Sequence, residues 1–389
     1  LVPSLVREMG GHYPELVRAQ PLISETLKLE ETRFKEALAR GLKVLTSEVE
    51  GKASAGTLSG DTAFKLYDTF GFPLDLTEDF MRGYGWQVDL KGFYEAMEAQ
   101  KQAARAAWSG SGGKADERIF FELLDTHGAT EFLGYSSLTS EAIVTAIVKD
   151  GAEVANLSAG ESGLVITNQT PFYAESGGQV GDTGLIKSAV FSALVTDTQK
   201  TAAGLFLHHI SVETGQIETE MPASLLVDTS RRAALRANHS ATHLLHEALR
   251  VVLGGHIAQK GSLVAPDRLR FDFSHSTAMT DGEIISVEDI VNTRIRMNSS
   301  VSTRLMTPDE AVGEGALALF GEKYGDEVRV VSMGGDANQA GKSAWSVELC
   351  GGTHVSQTGE IALFKIVGEG AVAGGVRKIE AVSHGLGLS

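Results

Sequence analysis

Cysteine is almost missing from this sequence: Cys350 is the only one in 389 residues. A lone thiol cannot close a disulfide within its chain. With no secretory signal, a reducing compartment, the cytoplasm, is the expected home. No run approaches the about 20 apolar residues that cross a bilayer, so no membrane partner is expected. The opening LVPSLVREMG fits neither a signal nor a transit peptide and has no initiator Met, so the chain reads as a piece of something longer. Basic residues are in deficit: 34 Lys and Arg against 50 Asp and Glu give a formal net charge of -16. That argues against non-specific nucleic-acid binding but not against a local basic face. Low-complexity tracts and internal repeats are also absent. Hydrophobic residues at 42% and charged residues at 22% are ordinary for a globular protein. The length suffices for two or three domains with separate cores.

The character of the chain changes along its length. In residues 1–112, LISETLKLEETRFKEALARGLKVLTSEVEG places Leu27, Phe34, Leu38, Leu42, Leu45 and Val49 at helical spacing and stops at Gly51. SGDTAFKLYDTFGFP offers Asp61 or Thr62 as an N-cap before a short helix ended by Gly71 and Pro73. A further helix over DLKGFYEAMEAQKQAARAAW leads into SGSGG, residues 109–113, the best linker candidate. Residues 113–229 contain β-branched runs such as AIVTAIV and GLVITNQ between Gly-containing turns, which predicts a small β-rich, barrel-like unit from about Ile143 to Val227. Residues 230–389 combine a long helix, roughly Arg231–Leu253, with strands and a helix near Glu283–Met297. The expected class is therefore multidomain α+β.

The long helix contains HSATHLLH. His239 and His243 stand four residues apart and so lie on one helical face. Arg232, Arg236, His246 and Arg250 share that face, whereas Ala241, Leu245 and Leu249 belong to another. Two imidazoles so placed are half a metal site, and zinc prefers four ligands from His, Cys and carboxylates. Cys350 and His354 in VELCGGTHVS, about 110 residues on, can supply the rest, because two glycines let the backbone fold back. The competing readings are satisfied core histidines and a cysteine acting as a small buried hydrophobe.

Other signals fail on spacing. GGDANQAGKS lacks the first glycine of a phosphate loop, which would fall at Asp336. A metalloprotease needs Glu where this chain has Ser240. Near Gly368, glycines follow a strand but no helix follows them. FYAESGG, with Glu175 and Ser176, reads as a structured turn beside a pocket rather than a catalytic pair.

Taken together, HSATHLLHEAL, CGGTH, TPFYAESGGQVGDTG, LRFDFSH and ALFGEKYGDEVRVVSMG resemble the editing region of alanyl-tRNA synthetases. LSGDTAFKLYDTFGFPLDLTEDF resembles the helical tRNA-recognition region that precedes it. The resemblance covers nearly the whole chain in the family's order. It implies that His239, His243, Cys350 and His354 bind one zinc ion in a C-terminal zinc-containing α+β editing domain; His246, one turn further along the same face, is the reserve ligand. It implies hydrolysis of the ester of mischarged Ser-tRNA(Ala) and Gly-tRNA(Ala). Gln259 matches a position lining the editing pocket. Asp75 matches an acidic position that reads the wobble pair of the tRNA(Ala) acceptor stem. Arg232, Arg236 and Arg250 flank the histidine face and are candidates to hold tRNA phosphates near the 3′ end. No arginine-bearing class II ATP motif is found, so ATP chemistry is expected only in an aminoacylation domain outside this chain, as is the C-terminal region through which the parent enzyme oligomerises. GGDANQAGKSAW is longer than the corresponding family loop, and AGGVRKIEAVSH varies the usual AAGVRRIEAVTG. Four protein ligands commonly make a closed site, so a non-catalytic tRNA-binding module with a structural zinc is the alternative.

Overall fold

The computed structural model describes residues 1–50, 55–107, 116–201, 204–314, 316, 327–335 and 344–384. The linker expected at 109–113 lies outside the described residues, as do 336–343 of the long loop and 317–326. The chain divides into two compact units, Leu1–Gly112 and Gly113–Ser389.

The first unit is helical: α1 (Val2–Met9), α2 (Pro14–Val49), α3 (Gly60–Phe70), α4 (Leu74–Gly83) and α5 (Leu90–Ala107). The helix expected to run to Gly51 ends at Val49, where Glu50 turns extended. Neither Asp61 nor Thr62 caps α3. Ser59 does so, accepting from the Thr62 amide at 3.2 Å, which leaves Asp61 in the first turn against the helix dipole. Gly71 ends this helix in the left-handed region, with φ 66°, as a C-cap glycine should. Leu45, Leu58, Leu66, Phe72, Met81 and Phe93 form the core. Asp75 is exposed in the first turn of α4, where its Oδ1 accepts from the Leu76 amide at 3.0 Å.

In the second unit, α6 (Asp116–His127) precedes six strands: β1 (Thr139–Lys149), β2 (Ser162–Thr167), β3 (Gly184–Lys187), β4 (Phe191–Lys200), β5 (Phe206–Glu218) and β6 (Pro222–Val227). They pair antiparallel in the order β4-β3-β6-β1-β2-β5, and β5 pairs back with β4, closing a six-stranded barrel. Closure removes the edges that an open sheet would expose. Inward residues such as Val144, Val165, Ile186, Val195 and Ile210 fill it. His208 is also buried there. Its Nδ1–H donates to Val165 O at 2.9 Å, and Nε2 accepts from Thr170 Oγ1 at 2.8 Å. Burial brings its pKa down to about 4, so the ring is neutral at physiological pH.

Asp228 caps α7 (Thr229–Leu253) by accepting from the Arg231 amide. A four-stranded antiparallel sheet follows in the order β7 (Gln259–Val264), β8 (Leu269–Ser274), β13 (Val376–Ser383), β12 (Phe364–Ala373). Helix α8 (Asp281–Arg296) starts at a Thr280/Glu283 capping box. Ala241, Leu245 and Leu249 of α7 and Val287 and Val291 of α8 share a core with Phe271, Phe273 and Ile379 of the sheet. A three-stranded sheet, β9 (Ser302–Met306), β10 (Val328–Met333) and β11 (Ser346–Leu349), delivers Cys350 at its end. Among the described residues no helix is long and apolar enough to cross a membrane.

Candidate metal centre

Helix α7 is buried on nearly every side from Leu235 to Leu249, so its histidines face protein rather than water. His239 and His243 stack with ring centroids 5.4 Å apart, one turn along the helix. The turn after β11 brings His354 within 4.6 Å of the His239 ring and 5.1 Å of His243. One ligand atom from each of His239, His243, Cys350 and His354 lies within 4.8 Å of the others. Cys350 Sγ is 3.4 Å from His239 Nε2 and 3.2 Å from His354 Nε2. A tetrahedral ion with bonds of about 2.0–2.3 Å spaces its ligand atoms by roughly 3.5 Å, so the donor set fits such an ion.

The opposite ring nitrogens are held from behind. His239 Nδ1 is 2.8 Å from Gln179 Oε1, which can only accept, so the proton sits on Nδ1 and Nε2 keeps its lone pair for the centre. Glu348 Oε2 stands 2.7 Å from His243 Nδ1, a charge contact outside hydrogen-bond geometry. Ser240 Oγ is 3.2 Å from His354 Nδ1 and also accepts from the Val355 amide. Nε2 of His243 is buried without a hydrogen-bond partner of acceptable geometry, an orphan that a cation would satisfy.

Charge follows the same plan. Burial alone would raise the Cys350 thiol pKa, but His239, His354 and His243 outweigh it and hold it well below the usual range, favouring the thiolate. Burial would raise that of Glu348 as well, yet His243 and His246 keep it ionised. For His243, burial opposes protonation, and Glu348 and Cys350 overcome it, so a cation taking Nε2 would have to displace a proton. Burial brings His354 down to about 4, a neutral imidazole suited to a metal.

Gly352 explains the spacing of CGGTH. A Cβ there would lie 2.0 Å from His239 Cε1 and 2.4 Å from its Nδ1, whereas at Gly351 the nearest atom is Tyr135 Oη at 3.9 Å. Gly352→Ala therefore displaces the His239 ring, and Gly351→Ala does not. We expect the first substitution to weaken metal binding by at least 10-fold, in the range for misplaced ligand supports, and the second to leave it unchanged. Chelator competition checks both.

The remaining predicted residues scatter. His246 is outside the four-ligand group, with Nδ1 3.1 Å from Glu348 Oε1. Arg232 is wholly buried: Nε and Nη2 bond Asp182, Nη1 donates to Gly134 O at 2.7 Å, and Nη2 donates to Pro171 O at 2.8 Å. It ties the first turn of α7 to the barrel, and no phosphate can reach it. Arg250 sits 3.6 Å from Glu247, two turns beyond His243. Arg236 is half-buried and lines a cavity of about 170 Å³ beside His354, together with Thr353. Gln259 opens β7 and donates to Ser262 Oγ at 3.1 Å; it does not line that cavity. The turn expected at FYAESGG is present, with Ser176 and Gln179 exchanging backbone hydrogen bonds. The sequence reading missed the supports: Gln179, Ser240 and Glu348. Glu348 alone left a signal, standing two residues before Cys350 and so on the same side of a strand.

Residues 1–231 match the family described as tRNA synthetases class II (A), more than half of the chain. The chain belongs to the alanyl-tRNA synthetase family. Residues 328–380 match the threonyl and alanyl tRNA synthetase second additional domain, which in this alanyl-tRNA synthetase chain carries Cys350 and His354. The chain is 58% identical over 384 residues to the alanine–tRNA ligase of Chelativorans sp., and 59% identical over 385 residues to those of Rhodopseudomonas palustris and Rhizobium meliloti. Each alignment covers 98% of this chain and 43% of the relative.

Proposed function

We propose that this chain is the tRNA-recognition and editing part of an alanine–tRNA ligase, working in the cytoplasm as a zinc-dependent deacylase of Ser-tRNA(Ala) and Gly-tRNA(Ala). The observation that carries this is the position of the metal-competent cluster: Cys350 and His354 are only partly covered, and a cavity of about 170 Å³ opens beside His354. A metal that only braces a fold is commonly sealed by its four ligands. Those four protein ligands are what favours the other reading, a binding module with a structural zinc.

The chemistry has a physical motive. An alanine pocket rejects glycine by only about 1–3 kcal/mol, one methyl's worth, and rejects serine about a hundredfold. A second, hydrolytic pocket repairs both errors. When bound, zinc would polarise a carbonyl, hold the free amine or sharpen a water. His239, His243, Cys350 and His354 would hold it, with Gln179, Ser240 and Glu348 fixing the imidazole orientations. In this reading residues 1–112 recognise tRNA, residues 113–229 form the β-rich unit, and residues 230–389 edit. The exposed Asp75 carboxylate would read the acceptor stem.

Gln259 lies outside the cavity beside His354, and it would hydrogen-bond the seryl hydroxyl or position a water only where bound substrate extends to the start of β7. If it recognises serine, Gln259→Ala slows Ser-tRNA(Ala) hydrolysis more than Gly-tRNA(Ala) hydrolysis, by about 2–12-fold, the worth of a neutral hydrogen bond. Single-turnover deacylation of both substrates tests this. Equal slowing assigns Gln259 to the water, and unchanged rates with unchanged melting remove it from the site.

A further inference from the structure

Two guanidinium groups converge on the cavity beside His354, and the protein leaves both without a counter-charge. Arg236 projects from α7 and Arg329 from β10. Nε of Arg236 and both Nε and Nη1 of Arg329 are buried without hydrogen-bond partners. Among the described residues neither makes an ion pair. Asp182 and Glu360 act on Arg236 only as more distant charges, and Asp182 is already held by Arg232. The contrast with Arg232, one turn earlier, is sharp: there every direction is filled by carboxylate or carbonyl oxygen. In a chain of net charge -16, two half-buried cations without an ion-pair partner, each with buried and unpaired N–H groups, at one small cavity call for an anion from outside.

Arg329 is also held in one plane. Its guanidinium carbon lies 3.4 Å from the centroid of the Tyr135 ring, and Nη2 reaches Thr303 Oγ1 at 3.4 Å. Tyr135 is 44% exposed, and its Oη donates to Gly351 O at 2.6 Å. Arg329 O accepts from the Cys350 amide at 2.9 Å. Arg329 and Tyr135 are thus tied to the turn that carries two of the four candidate ligands.

We infer that Arg236 and Arg329 form a phosphate subsite for the RNA strand whose 3′ end enters the cavity, with Tyr135 positioning Arg329. This deepens, and rests on, the reading of the site given above. The same chemistry would take free phosphate, so the test separates the two.

The 389-residue, metal-loaded chain is titrated with an RNA hairpin bearing a single-stranded 3′ tail and an amide-linked serine. It is also titrated with 3′-serylamido-adenosine, which has no phosphate, and with inorganic phosphate. Arg236→Gln and Arg329→Gln should each weaken the RNA by ~10-fold at low salt and lower the salt slope by about 0.7, the value for one single-strand contact. Binding of the nucleoside and metal content should not change, and Arg329→Lys should keep the slope. The subsite is overturned if the double variant keeps RNA affinity and slope, or if the phosphate-free nucleoside loses as much as the RNA. Inorganic phosphate binding lost in the variants while RNA binding is intact marks an adventitious ion only, and overturns it too. These readouts need no hydrolysis: a chain that binds RNA through both arginines yet leaves esters intact refutes the editing reading and keeps the subsite.

Discussion

Cys350→Ala should empty the metal centre, lowering zinc from one per chain to near zero after dialysis. Cys350 is the one candidate ligand whose anionic form would offset a cation's charge, and its Sγ lies within 3.4 Å of the nitrogens of two of the histidines. A structural zinc can contribute on the order of 10 kcal/mol in small peptides. Here α7, α8 and the four-stranded sheet share an extensive core of their own, so the unit should stay folded. The loss should appear as faster amide exchange over residues 344–384 and as a lower melting temperature. Full metal occupancy in the variant would remove Cys350 from the centre.

The second large effect concerns a residue with no part in the chemistry. Arg232→Met leaves the Asp182 carboxylate and the carbonyls of Gly134 and Pro171 buried without their donor. Breaking a buried pair in this way costs about 3–5 kcal/mol, roughly a 10 °C fall in melting temperature for a unit of this size. Replacing both partners, as Arg232→Met with Asp182→Leu, removes the stranded charge and should recover part of the loss. A single variant melting within about 2 °C of the parent would show that the clamp is not stabilising.

Arg232 also marks where sequence reading stops. Helical periodicity puts Arg232, Arg236 and Arg250 on one face with the histidines, and on that evidence all three are equal. Their fates differ because other elements cover the helix unevenly. The barrel buries Arg232, the cavity takes Arg236, and Arg250 lies beside Glu247 near the helix end. What was legible rested on local rules: the 3.6-residue period of α7, the β-branched runs of the barrel, and the glycines of CGGTH. What was not legible rested on partners distant in sequence. Gln179 meets His239 across 60 residues and Glu348 meets His246 across 102, and no local pattern announces such pairs. The α3 cap was misread because Ser59, Asp61 and Thr62 are all competent caps, and only the backbone turn at Ser59 selects among them.

In the proposed function the metal centre is a hydrolytic site rather than a brace. The direct measurement is single-turnover deacylation of Ser-tRNA(Ala) by the zinc-loaded chain, beside a chelated sample and Cys350→Ala. Ester loss well above the spontaneous rate is expected for the loaded chain, and the spontaneous rate for the other two. A loaded chain that holds one zinc, binds the tRNA and leaves the ester at its spontaneous rate would contradict it.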